Sequence, residues 1–280
     1  METRISSAAR QVIIGPDRPT VLIGERINPA GKKKMAQAVL AGRLEIVARE
    51  AQAQERAGAD IVDICVSAFG VDEAALLPRA VEVVMDATDV PLCLDSSSPA
   101  ALEAALKVYT GKALINSVTG EEHSLARILP LVKTYGAAVI GLTQDDDGIS
   151  RDPERRVAVA HKIVQRAEAA GIAREDILID CLALAVGADA GSGRVTLETI
   201  RMVRESLGVN LVLGASNISF GLPLRDVLNS AFVVIVSAAG VNSLIVDAAK
   251  VRQMILAADL VLGRDVRARR YIEAYRRRDP

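Results

Sequence analysis

Short apolar runs recur along the chain, each ending on a polar residue and each followed by a longer stretch in which apolar positions return every three or four residues. That alternation predicts a strand, a loop and a helix, repeated. The first run, residues 20–27 (TVLIGERI), turns polar at Glu25-Arg26 and is closed by Pro29-Ala30-Gly31. Residues 43–57 then set Leu44, Ile46, Val47, Ala51 and Ala53 among charges and stop at Gly58, which predicts an amphipathic helix. Further strands are predicted at 61–64, 91–94, 113–115, 137–142, 176–179, 210–213 and 243–246. Helices are predicted at 72–87, from Pro99, at 121–135 with an interruption or bend at Pro130, and at 152–170, 196–207, 223–239 and 247–258. The glycine-rich stretch 187–193 reads as a mobile loop.

The strands are continuous in Val, Ile and Leu rather than alternating, so they belong to a parallel sheet covered on both faces. About eight strand-and-helix units in 280 residues predict one α/β domain, a (β/α)8 TIM barrel, for which ~250 residues suffice. A doubly wound open sheet is the rival; it normally brings a GxGxxG turn after its first strand, and Gly24-Glu25-Arg26 is not one. Residues 1–19 form an N-terminal extension to this domain. Residues 264–280 are expected as a solvated C-terminal helix, in which Arg267, Arg269, Arg270, Arg276, Arg277 and Arg278 alternate with Tyr271, Ile272 and Tyr275.

Composition narrows the function classes. The 34 Lys and Arg residues balance 35 Asp and Glu, and the chain has no Trp, three Phe and four Tyr, so neither the field nor the stacking platforms of a nucleic-acid binder are present. No apolar run approaches the ~20 residues that cross a bilayer, and residues 1–11 lack the apolar core of a secretory signal. The expectation is a soluble, cytoplasmic protein. Cys65, Cys93 and Cys181 lie in apolar strand segments without CxxC spacing and read as buried thiols.

In a barrel the C-terminal strand ends share one face, the face that presents chemistry. The residues there are Glu25 and Arg26, Asp63, Asp95 with Ser96 to Ser98, Asn116 with Ser117, Asp180, and Ser216 with Asn217. Neither His123 nor His161 falls on a strand end, and no metal site is expected. Carboxylates and amides without His or a phosphate loop suit a ligand edge that alternates donors and acceptors, such as a 2-amino-4-oxo-pyrimidine ring. Taken singly, each of these residues has a second reading as the cap of its neighbouring helix.

The segments IGERIN (23–28), LCLDSS (92–97), LINSVTGE (114–121), LIDCL (178–182) and GASNISFG (214–221) resemble the methyltetrahydrofolate-dependent methyltransferases. These are pterin-binding barrels, dihydropteroate-synthase-like in fold and related to the folate domain of cobalamin-dependent methionine synthase. They exchange a methyl group between nitrogen 5 of tetrahydrofolate and the cobalt of a corrinoid protein. The resemblance implies 5-methyltetrahydrofolate or tetrahydrofolate as substrate, cobalamin carried by a partner corrinoid protein, and a homodimer, for which residues 233–239 offer an apolar helix that burial within the monomer explains equally well. It implies Asp95, Asn116 and Asp180 as pterin ligands, Asn217 at nitrogen 5, Arg225 near the folate, and Phe220 packed on the ring or benzoyl group. Glu25, Asp63 and Ser216 complete the expected folate contacts. The family usually has Asn two residues after Asp63, where this chain has Cys65.

Asn217 has no ionisable proton, so its expected part is to align protonation of nitrogen 5 rather than to supply the proton. Dihydropteroate synthases place a Lys on the seventh strand instead. An ammonium ~4 Å from a developing cation would oppose it by ~4 kcal/mol at an effective dielectric near 20. A dihydropteroate-synthase-like enzyme and a non-catalytic folate-binding subunit are the alternatives.

Overall fold

The computed structural model describes residues 1–276. Eight parallel strands close a barrel in chain order: β3 (Val21–Ile27), β4 (Ile61–Cys65), β5 (Leu92–Asp95), β6 (Leu114–Thr119), β7 (Ala138–Leu142), β8 (Ile177–Asp180), β9 (Asn210–Gly214) and β10 (Ser243–Val246), the last pairing back to β3. Ahead of the barrel lie β1 (Thr3–Ser6) and β2 (Gln11–Ile14). Strand residues alternate between two cores. Val21, Ile23, Ile61, Cys93, Leu114, Ala138, Ile140, Leu178 and Val212 fill the interior, and their neighbours Leu22, Val62, Leu94, Ile115, Val139, Ile179 and Leu213 pack outward against helices. With both faces buried, every strand reads as an unbroken apolar run.

The helices are α1 (Lys33–Leu40), α2 (Glu45–Ala57), α3 (Glu73–Ala87), α4 (Pro99–Val108), α5 (Glu122–Tyr135), α6 (Pro153–Ala169), α7 (Ser192–Leu207), α8 (Arg225–Ala239), α9 (Ala248–Val261) and α10 (Arg269–Arg276). Asp72, Ser98 and Asp152 cap α3, α4 and α6 through their side chains, while Pro99 and Pro153 occupy first-turn positions that need no N–H. Among the described residues no helix is long and apolar enough to cross a membrane.

The N-terminal extension is structured. β1 and β2 form an antiparallel hairpin that closes the barrel floor, with Ile5 and Ile14 fully buried in the interior cluster. Asn210 donates to Thr3 Oγ1 at 2.8 Å and to the Ile14 carbonyl at 3.1 Å, and Ser6 exchanges backbone bonds with Lys112. Gly111 permits that approach: its φ is 128°, and a Cβ there would sit 2.1 Å from the Ser6 carbonyl oxygen.

Several expected boundaries move. α1 has no counterpart among the predicted helices. α5 runs through Pro130 as one helix, and α7 begins at Ser192, so the glycine-rich stretch is partly helical and partly a turn held by Asp189, whose carboxylate accepts from the Gly191 N–H at 2.9 Å. α8 starts at Arg225 because Leu224 adopts a left-handed conformation, φ 51°, which keeps Pro223 outside the helix. Within 233–239, Val233, Val236 and Ser237 face the monomer core, leaving Ile235 exposed. The C-terminal segment is interrupted by positive φ at Arg267 and Ala268 before α10, which buries none of its residues; Arg277 and Arg278 lie outside the described residues. Arg264 and Arg270 tie this segment to the buried carboxylate of Asp259.

If the hairpin seals the barrel, Ile5→Ala should leave a cavity beneath the interior layers. The expected cost is about 2–4 kcal/mol of unfolding free energy, measured by urea denaturation; an unchanged midpoint would mean that the hairpin is dispensable to the core.

Candidate functional site

The same alternation that puts Ile23, Ile61, Cys93, Leu114 and Leu178 inside the barrel brings the next inward positions to its C-terminal mouth: Glu25, Asp63 and Cys65, Asp95, Asn116 and Asp180. Register fixes their order, with Cys65 beside Asp95 and Asp95 beside Asn116. Two irregularities adjust the aim. β3 shifts register between Gly24 and Ile27, and β6 between Asn116 and Val118. The first is clasped by Gln54, whose Oε1 accepts from Arg26 N at 2.8 Å and would lie 2.4 Å from a Cβ on Gly24.

Asp63 and Asp95 form a buried acidic pair. Burial first, and then the Asp95 charge, pushes the Asp63 carboxyl well above the usual carboxylate range. Asp95 is raised to about 6 by burial, with Glu73 adding a smaller push. Asn116 donates to Asp63 Oδ1 at 3.2 Å, and the Cys93 thiol bonds the same carboxyl. The Cys65 thiol bonds Asp95 and is itself pushed far up by burial, so it stays a neutral donor. A thiol thus supports the neighbouring carboxylate. Asp63 is 3% exposed and lies under Asn116, which it orients.

Asp180 closes the opposite side. Its oxygens accept from Leu182 N at 2.7 Å and Gly214 N at 3.0 Å. Burial raises it to about 6 against the pull of those two amides and of Arg156. Arg156, fully buried on α6, donates to the carbonyls of Cys181 at 2.9 Å and Leu182 at 2.8 Å, and Thr196 donates to Leu182 at 3.0 Å. Together they pin the loop that carries Asp180.

Asn217 occupies a single 3-10 turn, Ala215–Ser219, directly after β9. A Cβ on Gly214 would meet Asn217 Nδ2 at 3.3 Å and Asp180 Oδ2 at 3.8 Å, so the two side chains flank one glycine. Asn217 itself is exposed, and among the described residues its amide group has no hydrogen-bond partner. Arg225 braces the turn, donating to the Ser216 carbonyl at 2.9 Å and Ser219 Oγ at 3.0 Å while lying 5.8 Å from the centroid of the Phe220 ring. Ser216 Oγ donates to Glu25 at 2.7 Å. Of the strand-end residues, Ser98 caps α4 through its side chain, as the second reading allowed, and Asp63, Asn116, Asp180 and Asn217 cap no helix that way.

Two cavities open on this face. One, about 290 Å³, is lined by Asp95, Asn116, Thr119, His123, Arg127 and Gln144 among others. The other, about 180 Å³, is lined by Glu25, Lys32, Ser216, Arg225, Asp247 and Lys250 among others. The expected residues therefore divide: Asp95 and Asn116 in the first, Glu25, Ser216 and Arg225 in the second, and Asp63 and Asp180 buried between strands, while Phe220 stands 69% exposed on the rim. His123 and Arg127 fall on α5, four residues apart on the side nearest Asp95, which helical periodicity alone does not reveal.

The pterin binding enzyme family matches residues 24–247. The chain belongs to that family. Among curated relatives it is 34% identical over 266 residues to the methionine synthase of Mycobacterium tuberculosis (strain ATCC 25618 / H37Rv), covering 90% of this chain and 22% of that protein. It is 30% identical over 262 residues to the methylcorrinoid:tetrahydrofolate methyltransferase of Eubacterium limosum, covering 91% of this chain and 96% of that one. This chain thus spans about a fifth of the methionine synthases but nearly the whole of the latter relative. Among solved structures, dihydropteroate synthase from Yersinia pestis with a pterine-sulfa conjugate superposes with TM-score 0.70 at 18% identity, over 93% of this chain and 99% of that one. The Xanthomonas albilineans dihydropteroate synthase with 7,8-dihydropteroate gives 0.67 at 21%, over 92% and 98%. At such identities these structures establish the shared barrel. The protein is an enzyme-family barrel of the pterin-binding kind.

The buried acids make stability depend on pH. Asp95 titrates near 3.8 when unfolded and about 6 when folded. Above about pH 6 it is ionised in both states; between about 6 and 4 only the folded chain takes up the proton, so stability rises as pH falls through that window. Asp95→Asn should stabilise the ligand-free protein at pH 7.5 by on the order of 1 kcal/mol, with the gain gone below about pH 4. Thermal melts across pH check it, and a gain that persists in acid would refute the assignment.

Proposed function

We propose that this protein is a methyltransferase that moves a methyl group between nitrogen 5 of tetrahydrofolate and the cobalt of a corrinoid carried by a partner protein. The observation that carries this reading is the neutral amide of Asn217 set across Gly214 from the buried carboxylate of Asp180, at the end of the seventh barrel strand. The full-length likeness to a methylcorrinoid:tetrahydrofolate methyltransferase supports it.

In this reading the pterin lies across the mouth. Asp180 takes the amino-pyrimidine edge with its remaining lone pairs, and Asp95 and Asn116 take the opposite side of the ring. The two carboxylates are costly to ionise while buried, and a ligand that brings N–H donors offsets that cost, which couples affinity to their ionisation. Asn217 meets nitrogen 5. Methyl loss from a tertiary amine requires protonation there, because an uncharged amine is then the leaving group. Asn217 accepts from the protonated nitrogen, and its contribution comes from bonding the transition state better than the ground state. Arg225 keeps the turn in place. Phe69, Phe220 and Leu224 stand exposed on loops at this end of the barrel, where a protein substrate approaches. Work as a homodimer in the cytoplasm belongs to the same reading.

A dihydropteroate-synthase-like condensation ranks second. The barrel is common to both, but Gly214-Ala215-Ser216-Asn217 offers no ammonium at the seventh strand. A non-catalytic folate-binding subunit ranks third.

The test mixes the purified protein with methyltetrahydrofolate and free cob(I)alamin and follows the cobalt visible spectrum. Transfer is expected, and tight folate binding without transfer would favour the non-catalytic reading. Asn217→Ala should slow transfer by about 10²-fold or more with folate affinity changed little. Asp180→Ala should instead weaken folate binding by roughly 10–100-fold, the loss of charge-assisted hydrogen bonds. Asn217→Lys is expected to be slower than Asn217→Ala.

A further inference from the structure

Asn217 can align a proton but cannot supply one, so the proton must come from another group at the mouth. The buried acids there differ in what already holds them. Asp63 lies beneath Asn116 and is bonded by it and by Cys93. Asp180 is committed to the Leu182 and Gly214 amides. Asp95 stands across the mouth beside Cys65 and Asn116. Glu25 bonds a side chain within the Asn217 turn, whereas Asp180 meets it at the Gly214 amide: Glu25 Oε1 accepts from Ser216 Oγ at 2.7 Å, and Oε2 has no hydrogen-bond partner among the described residues. Glu25 also lines the 180 Å³ cavity, together with Ser216 of this turn and Arg225.

We propose that Glu25 is the acid that protonates nitrogen 5 in methyl transfer from methyltetrahydrofolate, with Ser216 as its positioning residue. This rests on the methyl-transfer reading. In the forward step the Glu25 carboxyl O–H breaks and an N–H bond forms at nitrogen 5. The methyl carbon then passes to the cobalt of the corrinoid substrate, the electrons of the C–N bond stay on nitrogen 5, and tetrahydrofolate leaves as a neutral amine. The Glu25 carboxylate regains its proton from solvent. In reverse, nitrogen 5 gives its proton to the Glu25 carboxylate.

The surroundings suit an acid that must hold a proton and then release it. Burial first, and the Asp247 carboxylate at the end of β10, push the Glu25 carboxyl up; Ser216, then Lys32 ahead of α1 and Arg225 at the start of α8, pull it down. Asp63 of β4 also feels its charge, and Arg26 beside it is occupied by Glu50 and Asp247. Lys250 and Asp226 pair with each other on the far wall of the cavity.

The test uses the full chain with methyltetrahydrofolate and free cob(I)alamin across pH. In the wild type the rate from methyltetrahydrofolate is expected to fall as pH rises through the Glu25 titration. Glu25→Gln should slow transfer about 100-fold and remove that titration, with methyltetrahydrofolate affinity within about threefold. Ser216→Ala removes a donor that favours the carboxylate, so the titration should move to higher pH, a change that loss of packing does not produce. Infrared difference spectra of ligand-free wild type against Glu25→Gln supply a readout apart from activity: a carboxylic-acid carbonyl band lost in the variant and moved to higher pH in Ser216→Ala. Wild-type rate and pH profile in Glu25→Gln would overturn the proposal and leave the methyl-transfer reading intact. If Glu25→Gln does not fold, an unmoved titration in Ser216→Ala overturns it instead. No transfer by the wild type at any pH, despite folate binding, overturns the methyl-transfer reading and this proposal with it.

Discussion

Everything at the mouth of this barrel follows from placing several carboxyl groups on top of a closed apolar core. Ile23, Ile61, Cys93, Leu114 and Leu178 fill the layers below, and the next inward positions are Glu25, Asp63, Asp95 and Asp180. Water solvates them poorly there, and each is raised for that reason before any other. The fold answers with neutral donors: Asn116 and Cys93 for Asp63, Cys65 for Asp95, two backbone amides for Asp180 and Ser216 for Glu25. Neutral donors hold the acids in place without fully satisfying them, which leaves capacity for a ligand rich in N–H groups. A full complement of arginines would have quenched the site.

That arrangement needs a scaffold accurate to fractions of an ångström, supplied by side chains that bond the strand ends and turns from behind. Arg156 spends its guanidinium on the carbonyls of Ser150, Cys181 and Leu182, fixing the strand end that bears Asp180. Gln54 clasps the irregular stretch of β3 that turns Glu25 inward, and only glycine at position 24 leaves room for it. Arg225 does the same for the Asn217 turn, donating to the Ser216 carbonyl and the Ser219 hydroxyl while it lines the cavity beside Glu25. At the other end the hairpin of Ile5 and Ile14 closes the barrel floor.

How far a sequence reveals such a site depends on whether strand alternation or tertiary contact creates each part. Asp95, Asn116 and Asp180 were legible because each ends an apolar run, and in a parallel barrel the ends of such runs meet on one face. The closure itself followed from the same runs. Asn217 was legible as a residue after a strand, but its 3-10 turn was not, since that turn is held by Arg225 from the next helix. Arg156 and Gln54 read as ordinary polar positions within amphipathic helices, and nothing local marks them as buried. The hairpin escaped for a different reason: two four-residue strands carry too little periodicity to stand out, and only their fit to the barrel floor gives them a purpose. His123 and Arg127 share a face with Asp95 only through the packing of α5.

In the proposed methyl transfer, the balance of charge decides which residue takes which part. Protonating nitrogen 5 from a carboxyl group turns two neutral partners into a cation and an anion inside a poorly solvated mouth. A cationic side chain at Asn217 would oppose the new cation, and a carboxylate there would hold it too firmly to let the leaving amine go. A neutral amide at nitrogen 5, with the acid on another strand, avoids both. On this proposal the new anion forms at Glu25, where the Ser216 hydroxyl and the charges of Lys32 and Arg225 favour the carboxylate, while burial and Asp247 favour the protonated form. On the proposed mechanism alignment falls to the turn after β9 and proton supply to β3, two strands brought together across β10 by closure of the sheet.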